Sequence, residues 1–154
     1  MRSRSISKRK IKKDVIYSSE LVEKFINRVM LDGKKSIARK IFYNAIKNSA
    51  EELKSDPFEV FTKIIENVSP AVEVRSRRVG GANYQVPIPV AKDRQSTLAI
   101  RWIVAAARNK RGSKMEDRLA KEFLDAYKGE GMAMKKKMDV ERMAEANKAF
   151  SHFA

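Results

Sequence analysis

The sequence has no cysteine, which excludes disulfides and thiolate metal sites. Its one histidine, His152, sits beside the C-terminus and leaves no His-based metal site or nucleophilic triad to assemble. No apolar run approaches the roughly 18 residues of a membrane-spanning helix, and no apolar stretch of a secretory leader is present. Neither a membrane nor secretion is therefore expected. Acid is the most unevenly scarce component. Residues 1–13 hold seven Lys/Arg and no Asp or Glu, and residues 71–112 hold nine Lys/Arg against Glu73 and Asp93 alone. The remainder is close to neutral, with nine basic and nine acidic residues over 14–70 and nine against eight over 113–154. A surplus kept for solubility would be spread along the chain, so the two concentrated stretches predict a polyanionic partner.

At 154 residues, 43% of them hydrophobic, the chain is long enough for one domain with a real core. The first thirteen residues read as a basic tail, disordered when free, that orders on RNA. A transit peptide has similar composition, but Ile6 and Ile11 are too few to make an apolar helix face. Beyond the tail, Ser18 or Ser19 caps a helix with Leu21, Val22, Phe25, Ile26, Val29 and Met30 inward, which Asp32-Gly33 stops. A second helix over 35–53 buries Ile37, Ala38, Ile41, Ala45 and Ile46. Asp56-Pro57-Phe58-Glu59 is a helix start that leads to Val60, Phe61, Ile64, Ile65 and Val68, ending at Pro70.

From Val72 to Val90 the period changes to two, around Gly80-Gly81, which predicts a two-stranded β-ribbon. Pro87 and Pro89 remove N–H groups along one edge of the second strand, so the ribbon accepts no third strand there. A largely apolar helix over 95–109 is expected to be central, with Trp102 in the core. Ser113-x-x-Glu116 reads as a capping box for a helix carrying Met115, Leu119, Ala120, Phe123 and Leu124. A last helix runs over about 132–150. The expected fold is mainly α: about six helices in one bundle-like domain (14–154) with a protruding two-stranded β-ribbon at about 72–90 and a disordered basic tail (1–13).

Arg75, Arg77 and Arg78 crowd one strand, supported by Lys92, Arg94 and Arg101 with few acids near. Such crowding is repulsive unless phosphate neutralises it. Tyr84 shares the parity of Val86 and Ile88, so packing on the ribbon is expected, with base stacking as the alternative. Asn83 serves the turn. Asp32-Gly33-Lys34-Lys35 lacks the Walker spacing and reads instead as a pair of backbone-phosphate contacts. Lys135, Lys136 and Lys137 form either a solvated face or a second phosphate site. Met132, Met134, Met138 and Met143 either fill core gaps or make an adaptable surface. No acid–base pair sits in a Gly-lined site, so no enzyme and no cofactor is expected.

The segment Glu73-Val-Arg-Ser-Arg-Arg-Val-Gly-Gly-Ala-Asn-Tyr-Gln-Val-Pro87 closely resembles the hairpin signature of the family of the seventh small-subunit ribosomal protein, bacterial type. Phe25-Ile-Asn-Arg-Val-Met-Leu-Asp-Gly-Lys-Lys35, Leu98-Ala-Ile-Arg-Trp102, and Lys135-Lys-Lys with Asp139-Val-Glu-Arg-Met-Ala-Glu-Ala-Asn147 resemble the same family in the same order. The resemblance implies a structural protein that binds the 3′ major domain of small-subunit rRNA as a primary binder and nucleates assembly of the subunit head. It implies exit-site tRNA and mRNA nearby, and the ninth, eleventh, thirteenth and nineteenth small-subunit proteins as neighbours. The implied location is cytoplasmic, in the small subunit, with an organellar ribosome also compatible. Carried over by position, the RNA-contacting candidates are Lys34, Lys35, Arg75, Arg77, Arg78, Arg94, Lys135, Lys136 and Lys137. Composition adds Arg2, Arg4, Lys8, Arg9 and Lys10 of the tail. Met132 and Met134 depart from the smaller residues usual in the family, and the Phe153-Ala154 end departs from its longer aromatic-basic one.

A DNA-bending protein with basic ribbon arms is the nearest competitor, but such arms carry an apolar wedge where this chain has Gly-Gly-Ala-Asn. An RNA-processing enzyme would need a catalytic constellation the sequence lacks. Limited proteolysis of the free protein is expected to trim residues 1–13 and spare the body from about Asp14 onward. Equal protection of tail and core helices in the absence of RNA would refute the disordered arm.

Overall fold

Phenylalanines far apart in sequence meet at one point, and the helices are arranged around them. In a computed structural model, which describes residues 11–153, Phe25, Phe42, Phe61 and Phe123 are each fully buried or within 1% of it. Their rings meet largely edge to face: Phe25 and Phe61 at 5.5 Å and 86°, Phe42 and Phe61 at 5.3 Å and 84°, Phe42 and Phe123 at 6.3 Å and 82°. This is the geometry that the ring quadrupole favours.

The elements that carry them follow in order: α1 (Glu20–Val29), α2 (Lys35–Leu53), α3 (Pro57–Val68), β1 (Val72–Val79), β2 (Ala82–Pro89), α4 (Lys92–Asn109), α5 (Met115–Tyr127), α6 (Gly131–Ala146) and a C-terminal 3-10 turn (Lys148–Phe153). One core cluster draws on all six helices, with Ile103 and Val104 of α4 and Ala133 and Met134 of α6 joining the phenylalanine centre. The mainly α fold with one two-stranded sheet is the one expected. Of the predicted arm at residues 1–13, residues 1–10, with Arg2, Arg4, Lys8, Arg9 and Lys10, lie outside the described residues.

Local chemistry explains where elements start. Asp56 caps α3 as expected, its carboxylate accepting from the N–H groups of Phe58 at 2.9 Å and Glu59 at 3.1 Å. Ser19 occupies the cap of α1 but makes no side-chain bond. The approach to α1 is instead held by Asp14, which accepts from the N–H of Ile16 (3.0 Å), the N–H of Tyr17 (2.9 Å) and the hydroxyl of Tyr43 in α2 (2.5 Å). Burial alone would raise the Asp14 pKa; those hydrogen bonds outweigh it and hold the carboxyl below its ordinary value.

Three readings of the helices need correction. Ile37, expected inside, is 55% exposed, and the buried stripe of α2 runs through Ala38, Phe42, Ala45, Ile46, Ser49 and Ala50. The capping box at Ser113 and Glu116 does not form: α5 opens after Lys114 with no side-chain cap, and Glu116 accepts from the Asn44 amide of α2 at 2.7 Å. Trp102 is half-buried on the edge of the core, because the buried face of α4 is set by Leu98, Ala99, Ile103, Val104, Ala106 and Ala107.

The corner between α5 and α6 is tight. Gly131 has φ +91°, and a Cβ there would stand 2.9 Å from the Asp125 Cβ, so glycine is required on two counts. Glu122, fully buried, accepts from the Ala133 N–H at 2.9 Å and faces the Lys110 ammonium at 2.7 Å, while Asp125 takes the same ammonium at 3.2 Å. Burial acts to lower the Lys110 pKa, but the two carboxylates win and raise it.

Two measurements check this account. Phe42→Ala should cost about 3–5 kcal/mol in denaturant unfolding, and Trp102→Ala distinctly less because its ring is only half-buried. Equal losses would refute the placement of the core. Asp14→Asn should cost about 1–3 kcal/mol at neutral pH, as loss of hydrogen bonds to a charged acceptor does. Because the folded pKa is depressed, that wild-type advantage is complete above the unfolded carboxylate range near pH 4 and fades as pH falls through the folded value. A pH-independent difference would refute it.

Candidate nucleic-acid interface

The ribbon is an antiparallel pair with Val72 opposite Pro89, Val74 opposite Pro87, Arg77 opposite Tyr84 and Val79 opposite Ala82. Gly80 (φ +58°) and Gly81 (φ +90°) form the two-residue turn, which only residues tolerant of positive φ can make without strain. Its base is embedded: Val86 is fully buried, Val90 nearly so, and both α6 and the C-terminal turn pack against it. Its outer half is open, with Arg75, Ser76, Arg77, Arg78 and Gly80 to Asn83 all exposed.

Glu73 organises the cations at the base. Its carboxylate receives Arg75 Nη2 at 2.6 Å on one oxygen and Arg94 Nη2 at 3.2 Å on the other, which joins the ribbon to the first turn of α4. Burial acts to raise the Glu73 pKa, and the hydrogen bonds and charges of the two guanidiniums reverse that, holding it below the ordinary value. The acid stays ionised and both arginines keep fixed directions while their outer N–H groups face solvent. By strand parity Arg75 and Arg77 lie on the face of Val86 and Tyr84, and Arg78 on the other. Tyr84 packs against Phe150 of the C-terminal turn, ring centroids 5.2 Å apart, as the packing role anticipated.

A second basic surface escaped the reading of the sequence. Lys24, Asn27 and Arg28 on α1 face Thr97, Ile100 and Arg101 on α4 across a groove of about 380 Å³, with Ile11 at its edge. Each trio has the i, i+3, i+4 spacing of a single helix face. The signal was the pair Lys24 and Arg28 one helical turn apart, masked because residues 14–70 are neutral in sum. Lys12 and Lys13, which follow Ile11 in the chain, are both exposed.

The remaining candidates are placed differently. Lys34 is exposed in the turn between α1 and α2, 3.9 Å from Asp32. Lys35 pairs with the buried carboxylate of Glu23, which Arg39 also approaches at 3.7 Å. Lys135 and Lys136 project from α6 into solvent, whereas Lys137 donates to the Asn67 carbonyl of α3 at 2.7 Å. Arg75 and Arg94 are thus brought together, while Lys35 and Lys137 have internal partners. Arg108 likewise serves the fold, donating to the carbonyls of Arg28 and Val29 at 3.3 Å and capping the C-terminus of α1. Met134 fills the core; Met132, Met138 and Met143 stay on the surface. Among the described residues no group of three metal-ligating side chains comes together, and no helix is long and apolar enough to cross a membrane.

This arrangement can hold phosphates on two surfaces, an exposed ribbon with directed arginines and a shallow cationic groove. Comparison with known proteins points the same way. The sequence pattern of the family described as ribosomal protein S7p/S5e matches residues 1–148. The chain is 57% identical to the small ribosomal subunit protein uS7 of Pseudothermotoga lettingae over 99% of this chain and 98% of the relative. It is 55% identical to the proteins of that name from Petrotoga mobilis and Thermotoga maritima, over 99% of both chains in each case.

Proposed function

Since the chain belongs to the ribosomal protein S7p/S5e family, we propose that it is a primary binder of the 3′ major domain of small-subunit rRNA and nucleates assembly of the subunit head. It is a structural component of the small ribosomal subunit, a ribonucleoprotein part of the translation machinery. The finer reading assigns it no catalysis. It places the ribbon near the exit-site tRNA and the mRNA path, with the ninth, eleventh, thirteenth and nineteenth small-subunit proteins as neighbours. The relatives compared above are bacterial, which favours a bacterial, cytoplasmic ribosome.

The observation that carries this reading is the directed set of cations on an exposed ribbon. Arg77 and Arg78 stand exposed on the outer half, and Arg75 and Arg94 are aimed by Glu73. Folded RNA presents phosphates at fixed positions, and pre-oriented guanidiniums bind them with little ordering cost. The α1–α4 groove adds Lys24, Arg28 and Arg101 to the proposed contacts. The basic residues of the tail, with Lys34, Lys35 and the lysines of 135–137, complete the proposed set; Lys35 and Lys137 contribute mainly through long-range charge because their ammonium groups already have partners.

Replacing Arg75, Arg77 and Arg78 together by Ala should weaken binding to the RNA domain. It should also flatten the log–log salt dependence by about two to three, at roughly 0.7–0.9 per phosphate released. Thermal melts should stay close to wild type because all three side chains lie outside the core. An unchanged slope in the folded variant would show that these arginines do not touch the backbone.

A further inference from the structure

Below its tip the ribbon does not lie flush on the body. A groove of about 300 Å³ separates Val72, Pro87 and Ile88 of the ribbon from Glu141, Ala144 and Lys148 of the C-terminal segment. A two-stranded ribbon clamped only at its base bends easily, since it has no further strands to stiffen it. The gap is bridged further out. Past α6 the chain tightens into the 3-10 turn at Lys148–Phe153, which Asn147 sets up by accepting the Phe150 N–H on its carbonyl at 2.9 Å. That turn delivers the Phe150 ring to Tyr84, in a tilted contact at 52°. Tyr84 is the cross-strand partner of Arg77, so the two side chains share a face. The contact therefore lands on the rung of the ribbon that carries a proposed phosphate-binding arginine.

We propose that Phe150 and Tyr84 form a strut: they are positioning residues that hold the angle of the ribbon to the helical body and thereby aim Arg75, Arg77 and Arg78 at the RNA. This rests on the RNA-binding reading above. Neither ring needs to touch RNA. The strut acts by keeping the arginines within reach of their phosphates simultaneously, so that the ordering cost is met on folding rather than on binding.

The test separates aim from charge. Phe150→Ala keeps every cation, so affinity for the 3′ major domain RNA should fall roughly three- to tenfold, the size of one aromatic contact, with the salt slope unchanged. Phe150→Tyr should restore binding to near wild type. In the Arg75, Arg77 and Arg78 triple-Ala background, Phe150→Ala should cause no further loss. An equal loss in both backgrounds, or a flattened slope, would overturn the strut. The absence of cysteine allows a check without RNA: nitroxide labels at Ser76→Cys and Lys121→Cys on the full chain report the ribbon-to-body distance. Phe150→Ala should broaden that distribution at an unchanged melting temperature, and an unbroadened distribution overturns the proposal whatever the titrations give. If the labels broaden while the triple-Ala variant binds as wild type, the strut stands and the assignment of the arginines to RNA falls.

Discussion

The carboxylate of Glu122 has no exposed surface, and the orientation of the C-terminal third of the molecule depends on it. It reaches the Lys110 ammonium at the end of α4 and the Ala133 N–H in the first turn of α6, so three successive elements share one charge. Buried ion pairs contribute little net stability, but losing one partner costs about 3–5 kcal/mol because the other stays buried and charged. Their value here is geometric. With Gly131 allowing α6 to close against Asp125, the first turn of α6 has one permitted position. From that position α6 runs to the ribbon, and its 3-10 extension meets Tyr84. The outer element is therefore aligned from the inner one.

Charge is divided by the same logic. Several acids in the body have internal partners: Glu23 holds Lys35, Glu122 and Asp125 hold Lys110, Glu116 accepts from Asn44, and Asp14 accepts from Tyr43 and two backbone amides. The one acid on the ribbon, Glu73, offsets one of the two guanidinium charges it holds, and Arg75 and Arg94 still present exposed side chains to solvent. The ribbon therefore keeps a net positive charge from Arg75, Arg77 and Arg78 against Glu73 alone. With acids elsewhere paired internally, that charge stands out where phosphate is proposed to bind.

Period and punctuation made most of the architecture legible. The change from 3.6 to 2 at Val72, the Gly80-Gly81 turn and the Asp56-Pro57 start each rest on backbone physics that tertiary context rarely overrides, and each is present. The failures share a cause. Ile37, Trp102 and Glu116 were assigned from hydropathy or local spacing, yet their surroundings are set by neighbours remote in sequence: α2 turns its Phe42 side to the phenylalanine centre, and Asn44 claims Glu116. The arginines of the ribbon were readable because they are clustered; the α1–α4 groove was not, because half of it comes from each of two distant helices. Lys35 and Lys137 show the reverse limit, since a motif reveals charge but not the carboxylate or carbonyl that already holds it.

The contact between Tyr84 and Phe150 also imposes an order in time. A nascent chain emerges N-terminus first, and its domains fold as their residues become available. Every residue of the phenylalanine centre precedes residue 124, and both strands of the ribbon are complete by residue 89. The ring that braces the ribbon is made after both. A polypeptide terminated just before Phe150 would carry the whole core and all of the ribbon's arginines, yet leave the ribbon unbraced. If the proposed strut holds, competence to seat on RNA requires synthesis to pass Phe150, so that a product stopped short of it competes poorly with one that carries the ring for the same site on a growing particle.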